Sequence, residues 1–183
     1  MNAPIPAHLL HSHKMLKAML ERKRYGRLYT SPIAVNPYPK QAVFFAQGVI
    51  KRERLFMAAN QVGKSEAGAL ETAFHLTGLY PDWWKGRRWD RPVKGWAAGE
   101  TSLLVRNVSQ TKLCGEPGVE GSLGTGFIPR DLFVDKPSLA RGVTDAFDTV
   151  QVKHVSGGVS VLRFKSYEQG RSKFQGETLD FIW

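Results

Sequence analysis

Apolar positions recur at helical spacing in "AHLLHSHKMLKAMLERKRYGR", where Leu9, Leu10, Leu16, Met19 and Leu20 predict an amphipathic helix near the N-terminus. "YTSPIAVNPYPK" follows, and its three prolines in eight residues (Pro32, Pro37, Pro39) predict an extended connector. "QAVFFAQGVIKRER" reads as a short helix leading into a strand at Leu55–Ala59. "SEAGALETAFHLTG" is rich in helix formers and places Leu70, Ala73, Phe74 and Thr77 on one side. "LYPDWWKGRRWDRPVK" is a loop by its prolines and glycine, and "GWAAGE" is short enough to be a buried strand. Val105, Val108 and Leu113 predict a helix from Thr101 to Lys112, followed by the glycine-rich loop "GEPGVEGSLGTGFIPRD". The alternating runs "TVQVKHV" and "VSVLRFKS" flank Ser156-Gly157-Gly158, a hairpin signal. "YEQGRSKFQGET" is polar, and "LDFIW" begins another apolar strand. Strands alternating with helices, plus one hairpin, predict an α/β domain with a mainly parallel sheet.

Composition changes this picture little. The 183 residues suit one globular domain, and 42% hydrophobic with 23% charged residues is ordinary for a soluble protein. No apolar run approaches the roughly 18 residues needed to cross a bilayer. The N-terminus has no continuous apolar core of the signal-peptide kind, and the single cysteine, Cys114, suits a reducing compartment, so cytoplasm is expected.

Charge adds more. The net charge is +10, and residues 1–54 carry ten Lys/Arg against only Glu21 and Glu53. Such a segment favours phosphate-rich partners, nucleic acid above all, although a solvated helix face explains a basic run equally simply. His8, His11 and His13 crowd the first helix, but no cysteine or acidic residue stands beside them at ligand spacing, which argues against a metal there. Trp83, Trp84 and Trp89 stand among five basic residues; they either stack on unpaired bases or, as their bulk favours, pack beneath the loop.

The stretch "FMAANQVGKSEAG" carries the chemistry. A strand, a glycine turn and a helix in that order make backbone N–H groups converge on an anion. In such loops the lysine spans the β- and γ-phosphates and the next hydroxyl holds Mg²⁺; Gly63, Lys64 and Ser65 fit by type and order. The full pattern calls for a glycine five positions before Gly63, where this chain has Ala58. The tripeptide arises by chance in roughly one chain in ten of this length, so the strand before it and the helix after it carry the assignment. The competing reading is an exposed turn with a solvated lysine.

"AANQVGKSEAGALETAFHLTGLYPDWWKGRRW" resembles the ATPase domain of the large terminase subunit of tailed bacteriophages, the motor that packages DNA into the procapsid. The similarity continues in "GWAAGET", "GSLGTGFIPRD" and "SYEQGRSKFQGETLDFIW", and covers roughly residues 37–183. A relaxed first glycine is common in this family. The resemblance implies a P-loop NTPase fold of the ASCE type, preceded over 1–36 by a basic helix and proline-rich connector. It makes Asn60, Gln61, Val62, Gly63, Lys64 and Ser65 the phosphate loop for ATP, with Lys64 catalytic and Ser65 on Mg²⁺. "YPKQ" looks like the adenine-recognition element, with Gln41 as the base-reading side chain, whose amide offers one donor and one acceptor; a surface glutamine at a helix start is the alternative. A transition-state arginine is expected, with Arg52, Arg54 and Arg171 as candidates and Arg171 carried forward. Glu100 ends a strand near the expected nucleotide face and suits either a polar site role or helix capping around Thr101 or Ser102.

The acidic pair that supports Mg²⁺ and activates water in this family is expected directly after "LDFIW". Asp180 precedes the apolar residues and does not replace it. The chain therefore reads as the front part of a longer protein, truncated before those acids and without the C-terminal nuclease domain, so that these 183 residues alone are expected not to hydrolyse ATP. The resemblance implies double-stranded DNA, a portal protein and a small terminase subunit as partners, assembly as a ring on the portal, no membrane, and action in the cytoplasm of the infected bacterium. A helicase-type NTPase and a non-hydrolysing DNA- or protein-binding module with the same fold are the alternatives.

Overall fold

The computed structural model describes residues 7–183. Helix α1 (Ala7–Tyr25) stops at Gly26, and its apolar residues Leu9, Leu16, Met19 and Leu20 are all exposed. His11 and His13 are exposed as well, the side chain of His8 lies outside the described set, and no group of three metal-capable side chains occurs among the described residues. The proline-rich stretch is not an extended connector. It forms two helical turns, α2 (Arg27–Thr30) and α3 (Pro32–Val35), and leads into α4 (Pro39–Gln47). Prolines 32 and 39 occupy first helical positions, where the missing N–H is no loss, and the Ser31 hydroxyl caps α3 by accepting from Ala34 N–H at 3.3 Å.

Helix α5 (Lys64–Thr77) is the central helix, buried continuously from Ala69 to Thr77. Its C-terminus is closed by Gly78 in the left-handed conformation. Strand β1 (Lys94–Gly99) leads into a helical rod made of α6 (Ser102–Leu104), a π-helical segment (Val105–Gln110) and α7 (Thr111–Cys114). The π-helical segment carries the buried Gln110 to the mouth of the hairpin. There its amide donates to Phe147 O at 2.6 Å and accepts from Phe147 N–H at 2.8 Å, as a neighbouring strand would. Strands β2 (Ser138–Leu139), β3 (Phe147–Lys153), β4 (Val159–Ser166) and β5 (Phe181–Ile182) complete the sheet.

The sheet order is β2-β3-β4-β1-β5. β1 runs parallel to β4 and β5, whereas β2–β3 and β3–β4 are antiparallel. The sheet is therefore mixed, not mainly parallel, for two reasons. Strands joined by the short 154–158 turn must be antiparallel. The other cause is that Leu55–Ala59, expected as a parallel strand, pairs with no strand among the described residues. It is extended but lies on the surface, with Leu55 80% and Met57 81% exposed. A cleft of about 790 Å³ separates it from β5, lined by Arg52–Arg54 and Phe56 on one side and Phe181–Trp183 on the other.

One face of the sheet is covered by α5 and the 102–114 rod. Val150, Val152, Leu162, Phe164 and Ala97 meet Leu70, Phe74 and Leu113 there in a continuous apolar core. Trp84 is buried against Phe45 and Phe74, with ring centroids 4.8 and 5.1 Å away, and Trp83 Nε1 donates to Ala34 O at 2.8 Å. The half-buried Trp89 lies beneath Arg87 and Arg91. These tryptophans fasten the 79–94 loop and α3 to the body. Two further contacts fix where β5 runs. Phe181 pairs across from Gly95, and Trp183 rests on Gly68 of α5, where any side chain would overlap its indole.

Candidate nucleotide site

The loop between Ala58 and α5 turns at Asn60-Gln61, and Gln61 adopts φ 62°, a conformation uncommon outside glycine. Gly63 then takes φ 81° as the N-cap of α5. Glycine is needed there twice over: the left-handed backbone disfavours a Cβ, and a Cβ would stand 2.8 Å from Gln41 Nε2. No side chain caps α5. The N–H groups of its first turn therefore point outward with no partner inside the helix, and the positive end of the helix dipole faces the same way.

Lys64 opens α5, and its Nζ folds back to donate to the carbonyls of Ala58 and Ala59, both at 2.6 Å. Ser65 follows on the same turn. The two residues border both the 790 Å³ cleft beside β5 and a smaller cavity of about 340 Å³ over the loop. Asn60, Gln61 and Val62 are exposed. Gln41 is buried at the foot of the loop. Its Oε1 accepts Tyr38 N–H at 3.0 Å, which leaves Nε2 turned toward Gly63.

The carboxylates around the two cavities are largely engaged. Glu66, two residues after Lys64, accepts Lys112 Nζ on one oxygen and Arg27 Nη2 on the other, each at 2.6 Å. Glu71 is buried in the floor of the larger cleft, 2.9 Å from Arg54 and 3.6 Å from His75 Nε2. His75 Nδ1 in turn meets the Tyr80 hydroxyl at 3.1 Å, which accepts Trp89 N–H, and burial pushes that phenol up to about 12. Glu177 takes Trp96 Nε1 at 2.8 Å and pairs with Arg163. Asp180 pairs with Arg91 at 2.6 Å and accepts Lys94 N–H at 2.8 Å. Burial alone would raise its carboxyl, but the Arg91 guanidinium and that N–H together outweigh burial and hold it below the ordinary range. Glu53 lines the larger cleft and is exposed.

Of the arginines singled out from the sequence, Arg52 and Arg54 line the cleft beside Lys64 and Ser65, with Arg54 held by Glu71 and by Phe44 O at 2.9 Å. Arg171 is exposed in a short helical turn (Arg171–Phe174) and borders neither cavity. Glu100 is exposed at the end of β1, while the capping is done by Thr101, whose hydroxyl accepts Leu104 N–H at 3.1 Å. Sequence reasoning missed Glu66, Arg27 and Lys112. A carboxylate in the first turn of α5 was the available signal for the first; its two cations lie 39 and 46 residues away and left no local trace.

Residues 55–183 match the family model described as "Terminase large subunit, T4likevirus-type, N-terminal". The chain is also 38% identical over 164 residues to the terminase large subunit of Salmonella phage P22, a similarity that covers 80% of this chain and 33% of that protein. It thus spans about a third of the relative's length. No solved structure matches it. The matched region contains the 58–65 loop, helix α5 and every strand of the sheet, and on this ground the chain belongs to the terminase large subunit family and represents its N-terminal region.

Proposed function

We propose that this chain is the nucleotide-binding part of a phage DNA-packaging ATPase with a P-loop NTPase fold. The observation that carries the reading is the 58–65 loop: Gly63 in a glycine-favoured conformation, Lys64 and Ser65 at the uncapped start of α5, and two cavities meeting there, in a chain of the terminase family. Mg-ATP would sit with its phosphates against the first-turn N–H groups. Lys64 would exchange its two loop carbonyls for the β/γ-phosphates, and the Ser65 hydroxyl would hold the Mg²⁺. Asn60, Gln61 and Val62 would complete the loop around the phosphates. Gln41 would reach the base only by giving up Tyr38 N–H; where it stands, it supports Gly63. Arg171, remote from both cavities, would serve as the transition-state arginine only toward a neighbouring subunit's nucleotide. In the working motor the basic surface would track double-stranded DNA in the cytoplasm of the infected bacterium, in a ring on the portal with the small terminase subunit.

Hydrolysis needs a carboxylate able to orient the attacking water. Glu66, Glu71, Glu177 and Asp180 are all held by cations or N–H donors, and Glu53, the other acid lining the larger cleft, is exposed to solvent with nothing among the described residues to orient it. We therefore infer that these 183 residues bind ATP and turn it over at background rate. Calorimetric titration of Mg-ATP into the wild type and Lys64→Ala tests the binding. Loss of affinity in the variant is expected; equal affinities would refute the phosphate-loop reading.

A further inference from the structure

Resting on that reading, we propose that Lys112 is a second phosphate-facing cation of the site, parked on Glu66 and transferred to the polyphosphate when the nucleotide arrives. The 340 Å³ cavity over the loop is lined by residues of the 60–66 segment and by one residue from elsewhere, Lys112 of α7. Its ammonium therefore shares a cavity with Lys64, on a separate wall. A triphosphate carries more charge than one lysine balances, and a carboxylate next to it is repulsive unless neutralised. Glu66 is neutralised twice, and its two cations differ in kind. Arg27 presents a planar guanidinium that also lies 4.6 Å from the Phe127 ring centroid, so it is fixed on two sides. Lys112 ends in a compact ammonium with three donors on a flexible stem, partly exposed and facing the cavity. When Lys112 leaves, Glu66 keeps Arg27, so no carboxylate is stranded. The acid in the first turn of α5 thus serves as a parking place that holds the lysine near its target in the empty protein.

The test is a double-mutant cycle read by calorimetry with two ligands, Mg-ATP and inorganic tripolyphosphate. The proteins are the wild type, Lys112→Met, Glu66→Gln, the double variant, and Lys64→Ala as reference. Methionine keeps the apolar stem of Lys112, and Lys112→Gln, with thermal melts of each variant, guards against a folding artefact. A charge-assisted contact to phosphate corresponds to roughly a tenfold loss of affinity on removal. We expect that loss for Lys112→Met with both ligands, and again when Lys112 is removed in the Glu66→Gln background. If the double variant binds as tightly as Glu66→Gln alone, Lys112 merely neutralises Glu66 and the inference falls. A loss confined to Mg-ATP overturns the phosphate contact as well. Failure of the underlying reading looks different: Lys64→Ala would then bind like the wild type, and the role of Lys112 would fall with it.

Discussion

Replacing Gly63 by alanine perturbs the loop without touching a charged group, and its cost follows from the geometry. The residue sits at φ 81°, where an L side chain costs about 1–2 kcal/mol. The new Cβ would also stand 2.8 Å from Gln41 Nε2, well inside van der Waals contact. Gln41 is buried and tethered through Oε1 to Tyr38 N–H, so its displacement breaks a hydrogen bond of about 1 kcal/mol. The sum is roughly 2–3 kcal/mol, which the protein can meet either by losing stability or by relaxing the loop. Urea denaturation of the wild type and Gly63→Ala measures the first, and Mg-ATP affinity measures the second. Gln41→Ala in the same background relieves the clash but also deletes the acceptor of Tyr38 N–H and leaves the backbone strain, so it should not restore the lost stability. Unchanged stability together with unchanged affinity in Gly63→Ala would refute both the strained loop and its role.

Thr101→Ala removes the hydroxyl that accepts Leu104 N–H and should destabilise the protein by about 1 kcal/mol in urea denaturation; no change would show the cap to be idle. His154 is buried with its Nε2 unpartnered among the described residues, and burial lowers its ring below the ordinary 6.5, with Asp90 opposing in part. A lowered folded-state value means that its contribution is complete above the unfolded value and is lost as pH falls through the folded one. The urea midpoint should therefore drop more between neutral pH and mildly acid pH in wild type than in His154→Asn, and equal drops would exclude His154 as a cause. Duplex DNA binding should be independent of sequence and fall by roughly 10³-fold between about 50 and 200 mM salt if six or more phosphates are neutralised. Salt-independent affinity would contradict a motor that tracks the backbone. Phosphate release by the 183-residue chain should stay at background with DNA present, and release abolished by Lys64→Ala would show that a carboxylate such as Glu53 already activates water.

The features legible in the sequence are those fixed by neighbours along the chain. Helix α5 announces itself through Leu70, Ala73 and Phe74 at helical spacing and through Gly78 at its end. The β3–β4 hairpin follows from two alternating runs around a glycine pair, and Thr101 from its place ahead of a helix. Leu55–Ala59 has the composition of a strand, yet a strand exists only by pairing, and in this structure that segment faces a cleft. The expectation of a mainly parallel sheet failed for the same reason, since it relied on that segment to add parallel pairs. At the site, the order Gly63-Lys64-Ser65 was readable because all three residues lie on one turn. The ion pairs of Glu66 were not, because Arg27 and Lys112 reach it only through the folding of α2 and α7 against α5. The exposed apolar residues of α1 show the opposite limit: their spacing gives the helix but says nothing of what covers it.

The most direct test of the central claim is a crystal structure of this chain grown with Mg²⁺ and a non-hydrolysable ATP analogue. The β- and γ-phosphates are expected within about 2.7–3.2 Å of the N–H groups of Gly63, Lys64 and Ser65, as hydrogen bonds to an anion require. Lys64 Nζ should have left the carbonyls of Ala58 and Ala59 for the phosphate oxygens, with Mg²⁺ against the Ser65 hydroxyl. An analogue bound elsewhere, with Lys64 still on both carbonyls, would contradict it.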